Sequence, residues 1–130
     1  MHDRVPAVVA RSLASFLAAA LLGACVQQAS LPSDCGASSV QRPLTLSASG
    51  LDPSSTDVCR GQHVTLRIAS QRDGEVHLHG YDDQSAEVEV QAGETGEIAF
   101  DATHVGQFIL ELHLPDGSAD EVGVLTVHEP

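Results

Sequence analysis

From residue 42 onward the apolar residues of this chain recur at every second position, and that period constrains the fold more than any other feature. Val64, Leu66 and Ile68 alternate through His63–Ala69, Leu44 and Leu46 do so earlier, and Phe108, Leu110, Leu112 and Leu114 do so later. A period of two places neighbouring side chains on opposite faces of an extended strand. No stretch beyond the first 24 residues repeats with the 3.6-residue period of a helix. Turn residues separate the alternating runs: Arg72-Asp73-Gly74, Gln91-Ala92-Gly93-Glu94 and Pro115-Asp116-Gly117-Ser118, with Leu51–Thr56 reading as a Pro/Ser loop. Glu75–Tyr81, Glu87–Val90, Glu97–Phe100 and Val122–Val127 complete the series. Seven or eight short strands so spaced predict an all-β chain folded as a single β-sandwich over residues 41–130.

Three segments carry a resemblance that bears on which type of sandwich this is. Gly61-Gln62-His63-Val64-Thr65-Leu66 resembles the G-x-x-V-x-[LF] strand of cupredoxin-like domains. Gly106-Gln107-Phe108-Ile109-Leu110 resembles their penultimate strand, and Gly123-Val124-Leu125-Thr126-Val127 their last. The resemblance spans about residues 42–128 and implies a Greek-key sandwich of cupredoxin-like type, with an immunoglobulin-like sandwich, similar in strand patterning, as the alternative. It also implies departures. The blue-copper cysteine expected six residues after Gly106 is Leu112, and the histidine and axial methionine that should follow have no match in Leu114–Val122. A type 1 copper site requires a thiolate, so a blue centre is not expected. His77-Leu78-His79-Gly80 is also similar to the H-x-H-G element of multicopper oxidases, whose other histidine motifs are absent.

Two short motifs point to chemistry. In His77-Leu78-His79-Gly80-Tyr81-Asp82 the residues His77, His79 and Tyr81 fall on one strand face, and in Glu111-Leu112-His113 the two polar residues do likewise. Three imidazoles and a carboxylate suit Cu(II) or Zn(II), so His77, His79, His113 and Glu111 are the candidate metal ligands, copper first. Asp82, set to orient His79, and Tyr81 are candidate supporting residues, and Glu111 has an alternative role as an acceptor that fixes an imidazole tautomer. The cupredoxin-like arrangement implies that the two motif strands lie in different sheets. Alternation then turns Glu111 and His113 away from the core. The ligands meet only through a bulge near the end of the sandwich or on the surface beside a loop. The competing reading is a buried hydrogen-bonded network or a set of solvated histidines. His63, His104 and His128 are not expected to be primary ligands, and Asp82, Asp83, Glu87 and Glu89 read as a solvated acidic strip.

The N-terminus reads as an export signal. Arg4 and Arg11 flank an Ala/Leu-rich run, Ser12–Leu22, too short for a permanent membrane span. Leu22-Gly23-Ala24-Cys25 resembles the lipobox of bacterial lipoproteins, which implies removal of residues 1–24 and lipidation of Cys25. Residues 25–40 then serve as the lipidated end and a flexible tether. Val26 after the cysteine, by the same resemblance, favours sorting to the outer membrane, facing the periplasm. With Cys25 acylated, Cys35 and Cys59 form an even pair in an oxidising compartment, and a disulfide is expected. It closes a loop of about 24 residues, a contribution of roughly 3 kcal/mol in the loop-entropy model.

Charge narrows the partners. The chain has six basic residues, none of them lysine, against 18 acidic ones. Residues 1–24 hold Arg4, Arg11 and Asp3, so the remainder carries four basic and seventeen acidic groups, a net −13. Such a surface repels nucleic acid and anionic headgroups. No nucleophile triad, phosphate loop or paired catalytic carboxylates stand out, and no enzyme activity is expected. The expected function is metal holding or delivery at the cell envelope, with a metal-free binding or scaffold module for an envelope partner as the alternative.

Overall fold

The computed structural model describes residues 30–130. Alternating apolar residues build nine strands: β1 (Ser39–Ser47), β2 (Gly50–Asp52), β3 (Ser55–Cys59), β4 (His63–Ser70), β5 (Gly74–Leu78), β6 (Glu87–Val90), β7 (Thr95–Asp101), β8 (Gly106–His113) and β9 (Ala119–His128). A single turn of 3-10 helix, Asp82–Gln84, lies between β5 and β6. The strands form two sheets, one in the order β2-β1-β4-β7 and one in the order β3-β9-β8-β5-β6. β1 runs parallel to β4, and β3 parallel to β9. The immunoglobulin alternative, with two antiparallel sheets, does not accommodate these pairings.

The inward faces meet in one core. Leu44, Leu46, Val64, Leu66, Ile68, Ile98 and Phe100 come from the four-stranded sheet, and Val58, Val76, Leu78, Leu110, Leu112, Leu125 and Val127 from the five-stranded one. Nearly all are fully buried. Each such side chain contributes about 1.5–3 kcal/mol relative to exposure. The period of two in the sequence is this inward half of each strand.

Two expectations change. Leu51–Thr56, read as a loop, belongs largely to β2 and β3. The chain leaves one sheet at Asp52 and joins the other at Ser55, with Pro53 and Ser54 between, so the alternation breaks where the strand changes sheets while Leu51, Thr56 and Val58 stay buried. The domain also starts earlier than residue 41. That boundary falls inside β1, whose Val40 is buried. The preceding segment is tied down by the Cys35–Cys59 disulfide, by Arg42, which donates from Nη1 and Nη2 to the Asp34 carboxylate (both 2.9 Å), and by Gln62 Nε2, which donates to the Asp34 and Ala37 carbonyls. Residues 1–24, Cys25 and the first part of the tether lie outside the described residues.

Candidate metal centre

The two motif strands are neighbours in one sheet. β5 and β8 pair antiparallel, with Glu75 opposite His113, Val76 opposite Leu112, His77 opposite Glu111 and Leu78 opposite Leu110. This corrects the expectation that they face each other across the core. Because cross-strand partners point to the same side, Val76, Leu78, Leu110 and Leu112 turn inward together. Glu75, His77, Glu111 and His113 therefore share the outer face. Alternation placed Glu111 and His113 outward correctly; the error lay in assigning the partner strand. The close approach depends on Gly74, at φ +152°, where a Cβ would stand 2.6 Å from the His113 carbonyl oxygen and 2.7 Å from Leu112 Cδ1.

His79 extends the ladder one residue past β5, its N–H donating to the Ile109 carbonyl at 3.0 Å. The chain then turns at Gly80, φ +87°, packed so closely on Phe108 that a Cβ would lie 2.5 Å from the ring. This turn overrules alternation for the next residue. Tyr81 does not join the histidine face but is buried between Phe100 and Phe108, at centroid distances of 4.7 and 5.0 Å. Its hydroxyl donates to the His104 carbonyl at 3.0 Å, and burial raises its pKa above the ordinary value against that hydrogen bond. Tyr81 is thus a core residue and not a supporting residue of the site. The same turn carries Asp82 back to the face, where it meets His77 Nε2 at 2.8 Å and not His79.

The structure gathers the three histidines. One ring nitrogen each from His77, His79 and His113 lie within 4.8 Å of one another. Metal–nitrogen bonds of about 2.0–2.1 Å place tetrahedral donors about 3.4 Å apart, so small side-chain rotations complete a common coordination sphere. The His77 and His79 rings are 4.6 Å apart between centroids, and those of His77 and His113 5.8 Å. Glu111 Oε1 sits between two of the imidazoles, 2.7 Å from His113 Nε2 and 3.6 Å from His79 Nε2. His79 Nε2 is itself shielded from solvent without a hydrogen-bond partner. A buried polar atom left unpaired is costly, and a cation between these nitrogens removes the deficit. The donor set therefore fits a metal ion.

Charge on the face agrees. The hydrogen bond from His113 holds the Glu111 carboxyl below its ordinary value; partial desolvation opposes this, and the His79 charge adds to it. For Asp82 desolvation pushes upward, but the hydrogen bond from His77 and backbone donors outweigh it and the pKa is lowered. Glu75 and Glu87 complete the surroundings; the sequence motifs do not point to Glu75, and Glu87 reads there as part of a solvated acidic strip. Glu75 Oε1 lies 3.8 Å from His113 Nδ1, and Glu87 is the cross-strand partner of His77. Their signal was the period of two: Glu75 stands two residues before His77, and Glu87 and Glu89 alternate with the inward Val88 and Val90. The other described histidines stay apart. His63 Nδ1 meets Asp101 at 2.8 Å, His128 Nε2 meets Asp57 at 2.7 Å, and His104 Nδ1 meets the Thr103 hydroxyl at 2.9 Å.

No protein-family model and no curated protein matches the chain. Solved structures do. The metal-binding domain of the Cu(I)-exporting P-type ATPase CopA of Streptococcus pneumoniae, solved with Cu(I), aligns with a TM-score of 0.54 at 14% identity over 72% of this chain and 89% of that one. Auracyanin A, a blue copper protein of Chloroflexus aurantiacus, gives 0.54 at 17% identity over 69% and 99%. The copper nitrite reductase of Nitrosomonas europaea gives 0.56 at 16% identity, covering 70% of this chain and 42% of the enzyme. At such identities the likeness establishes the fold, a cupredoxin-like β-sandwich.

Proposed function

We propose that this protein holds a copper ion on the outer face of its five-stranded sheet, with His77, His79 and His113 as ligands and Glu111 assisting, as a lipid-anchored protein of the bacterial cell envelope. The observation that carries the reading is the convergence of three imidazole nitrogens within 4.8 Å around the unpartnered Nε2 of His79. The copper-binding character of the structural neighbours supports the choice of metal. Asp82 accepts from His77 Nε2, which leaves Nδ1 of that ring as the coordinating atom. Among the described residues the only sulfur atoms are those of the Cys35–Cys59 disulfide. A centre built here therefore has no thiolate and is not blue.

The role follows from the site's position. Two of its ligands are half-exposed, the His79 and His113 side chains retaining 46% and 41% of their accessible surface, while His77 retains 16%. An ion bound there is open to exchange with a second protein, which suits holding and delivery. The anchor is lipidated Cys25, sorted to the outer membrane through Val26.

Copper content of the purified full chain, by plasma mass spectrometry beside a His77→Ala/His79→Ala double variant, tests the assignment. Near-stoichiometric copper lost in the variant is the expected result. Absence of copper from both, after incubation with Cu(II), overturns it and leaves the histidines as a hydrogen-bonded surface network of a scaffold module. Intact mass of the membrane-extracted protein tests the anchor: a diacylated N-terminal Cys25 is expected, and an unmodified thiol there refutes it.

A further inference from the structure

The histidine face holds many carboxylates and no cation. Strand register sets Glu87 and Glu111 on either side of His77, Glu75 beside His113 with Glu89 beyond it, and Glu121 beside Glu111. Asp82 adds a further carboxylate at 2.8 Å from His77. Each described arginine is paired elsewhere: Arg42 with Asp34, Arg60 with Glu129, Arg67 with Glu97 and Arg72 with Asp120. The chain has no lysine to neutralise the face. The field at the three imidazoles is therefore set by carboxylates alone, and its attraction for an ion doubles as the ion's charge doubles from one to two.

Ligand softness points the same way. Nitrogen and oxygen donors in tetragonal arrangements suit Cu(II), whereas thiolate and thioether sulfur select Cu(I). Here every donor is imidazole or carboxylate. The chain's single methionine is Met1, and the two described cysteine sulfurs are bonded to each other. The 41% exposure of the His113 side chain also leaves room on the open side of the site for the water ligands that a cupric ion retains and a two- or three-coordinate cuprous ion does not need.

We infer that the His77–His79–His113 site selects the cupric ion over the cuprous ion, the reverse of a site built to carry Cu(I). This rests on the copper reading above and adds the oxidation state of the cargo. The selection arises from two sources, the donor atoms and the surrounding carboxylates, and the second can be removed without touching an imidazole.

The test measures both affinities on the full chain in detergent. Cu(II) is titrated against nitrilotriacetate, and Cu(I) against bicinchoninate under argon, with ascorbate as electron donor. The expected result is at least tenfold tighter binding of Cu(II) than of Cu(I). Each such factor of ten places the potential of the bound couple about 59 mV below that of the aqueous ion. An axial electron paramagnetic resonance signal split by nitrogen should accompany the Cu(II) form. In a Glu75→Gln/Glu87→Gln variant, which keeps side-chain shape and leaves the donor set intact, the ratio of the two affinities should fall, Cu(II) binding weakening more than Cu(I) binding. Equal or tighter binding of Cu(I) by the parent protein overturns the inference but leaves copper holding intact. So does a ratio unmoved by the carboxylate changes. Failure of both ions to bind removes the copper reading itself.

Discussion

Both sheets carry a cross-strand histidine–carboxylate pair on their outer face, and only one of the pairs grows into a candidate site. In the four-stranded sheet His63 opposes Asp101, and their side chains meet at 2.8 Å. In the five-stranded sheet His77 opposes Glu111. The first pair stands where β4 begins and β7 ends, and the next outward pair along that ladder is Thr65 with Ala99. That next pair offers no further imidazole or carboxylate, and His63–Asp101 stays an exposed pair, with 53% and 69% of the two side chains accessible. The second pair lies in a ladder flanked by β6 and β9, with Glu75 and His113 as the next outward pair on one side and His79, one residue past β5, on the other. Side-chain exposure there falls to 16% for His77 and 25% for Glu111. A histidine becomes a ligand candidate according to how many functional neighbours the sheet places on its face.

The largest effect breaks the comparison by removing the support. Leu112→Ala takes a fully buried side chain from beneath the histidine ladder. It should cost about 2–5 kcal/mol of stability, read by urea denaturation, and an unchanged midpoint would mean that this ladder is not a pillar of the core. Next in size, His79→Ala should weaken Cu(II) binding more than about 100-fold, beyond what loss of an outer-shell partner costs. Its counterpart His63→Ala should leave copper affinity unchanged and stability within about 0.5 kcal/mol. Comparable losses from both substitutions in copper titrations would erase the distinction between the two pairs.

A finer cut is Asp82→Asn, which leaves the imidazoles in place but removes the acceptor that orients His77. Copper affinity should fall about 10–100-fold, and nitrogen NMR of the metal-free protein should show His77 losing its preference for a proton on Nε2. An unchanged tautomer would separate Asp82 from the site.

The smallest effect separates site from scaffold by pH. Asp34 and Asp116 have pKa values lowered below 3.8, Asp34 chiefly by the hydrogen bond from Arg42 and Asp116 by those from Ser118. A lowered carboxylate pKa gives stability that is fully present above the unfolded value and lost as pH falls through the folded one. These contacts therefore hold until the medium drops below about pH 3.8. Metal binding competes with protons for the same ligand atoms, so affinity for the ion falls as pH falls. Copper should leave, followed by equilibrium dialysis, before circular dichroism reports any loss of strand. Simultaneous loss of both would mean that the metal holds the fold together.

Much of the fold was legible because strand alternation is written residue by residue. The inward sets of β4 and β8 could be read directly, and the paired cysteines announced the disulfide. Leu51–Thr56 was misread because a strand that changes sheets interrupts its own period. The site was legible as residue types: His77, His79, Glu111 and His113 are the groups that meet. Their manner of meeting was not, since nothing local to Glu75–Tyr81 says that its partner strand is Gly106–His113, some thirty positions away. Tyr81 and Asp82 were misjudged for one reason, the turn at Gly80, which sends the tyrosine into the core and returns the aspartate to His77.

The sequence by itself determined which face each side chain takes within its strand, because that depends only on a backbone period of two. It also determined the acidity of the surface and the want of sulfur donors among the described residues, which are matters of composition. The tertiary structure alone decided that β5 and β8 are neighbours, that three imidazoles share one surface with Glu111 among them, and that Tyr81 does not. Strand pairing between distant segments is settled by how the whole core closes, and a coordination site on a sheet exists only once that pairing has been made.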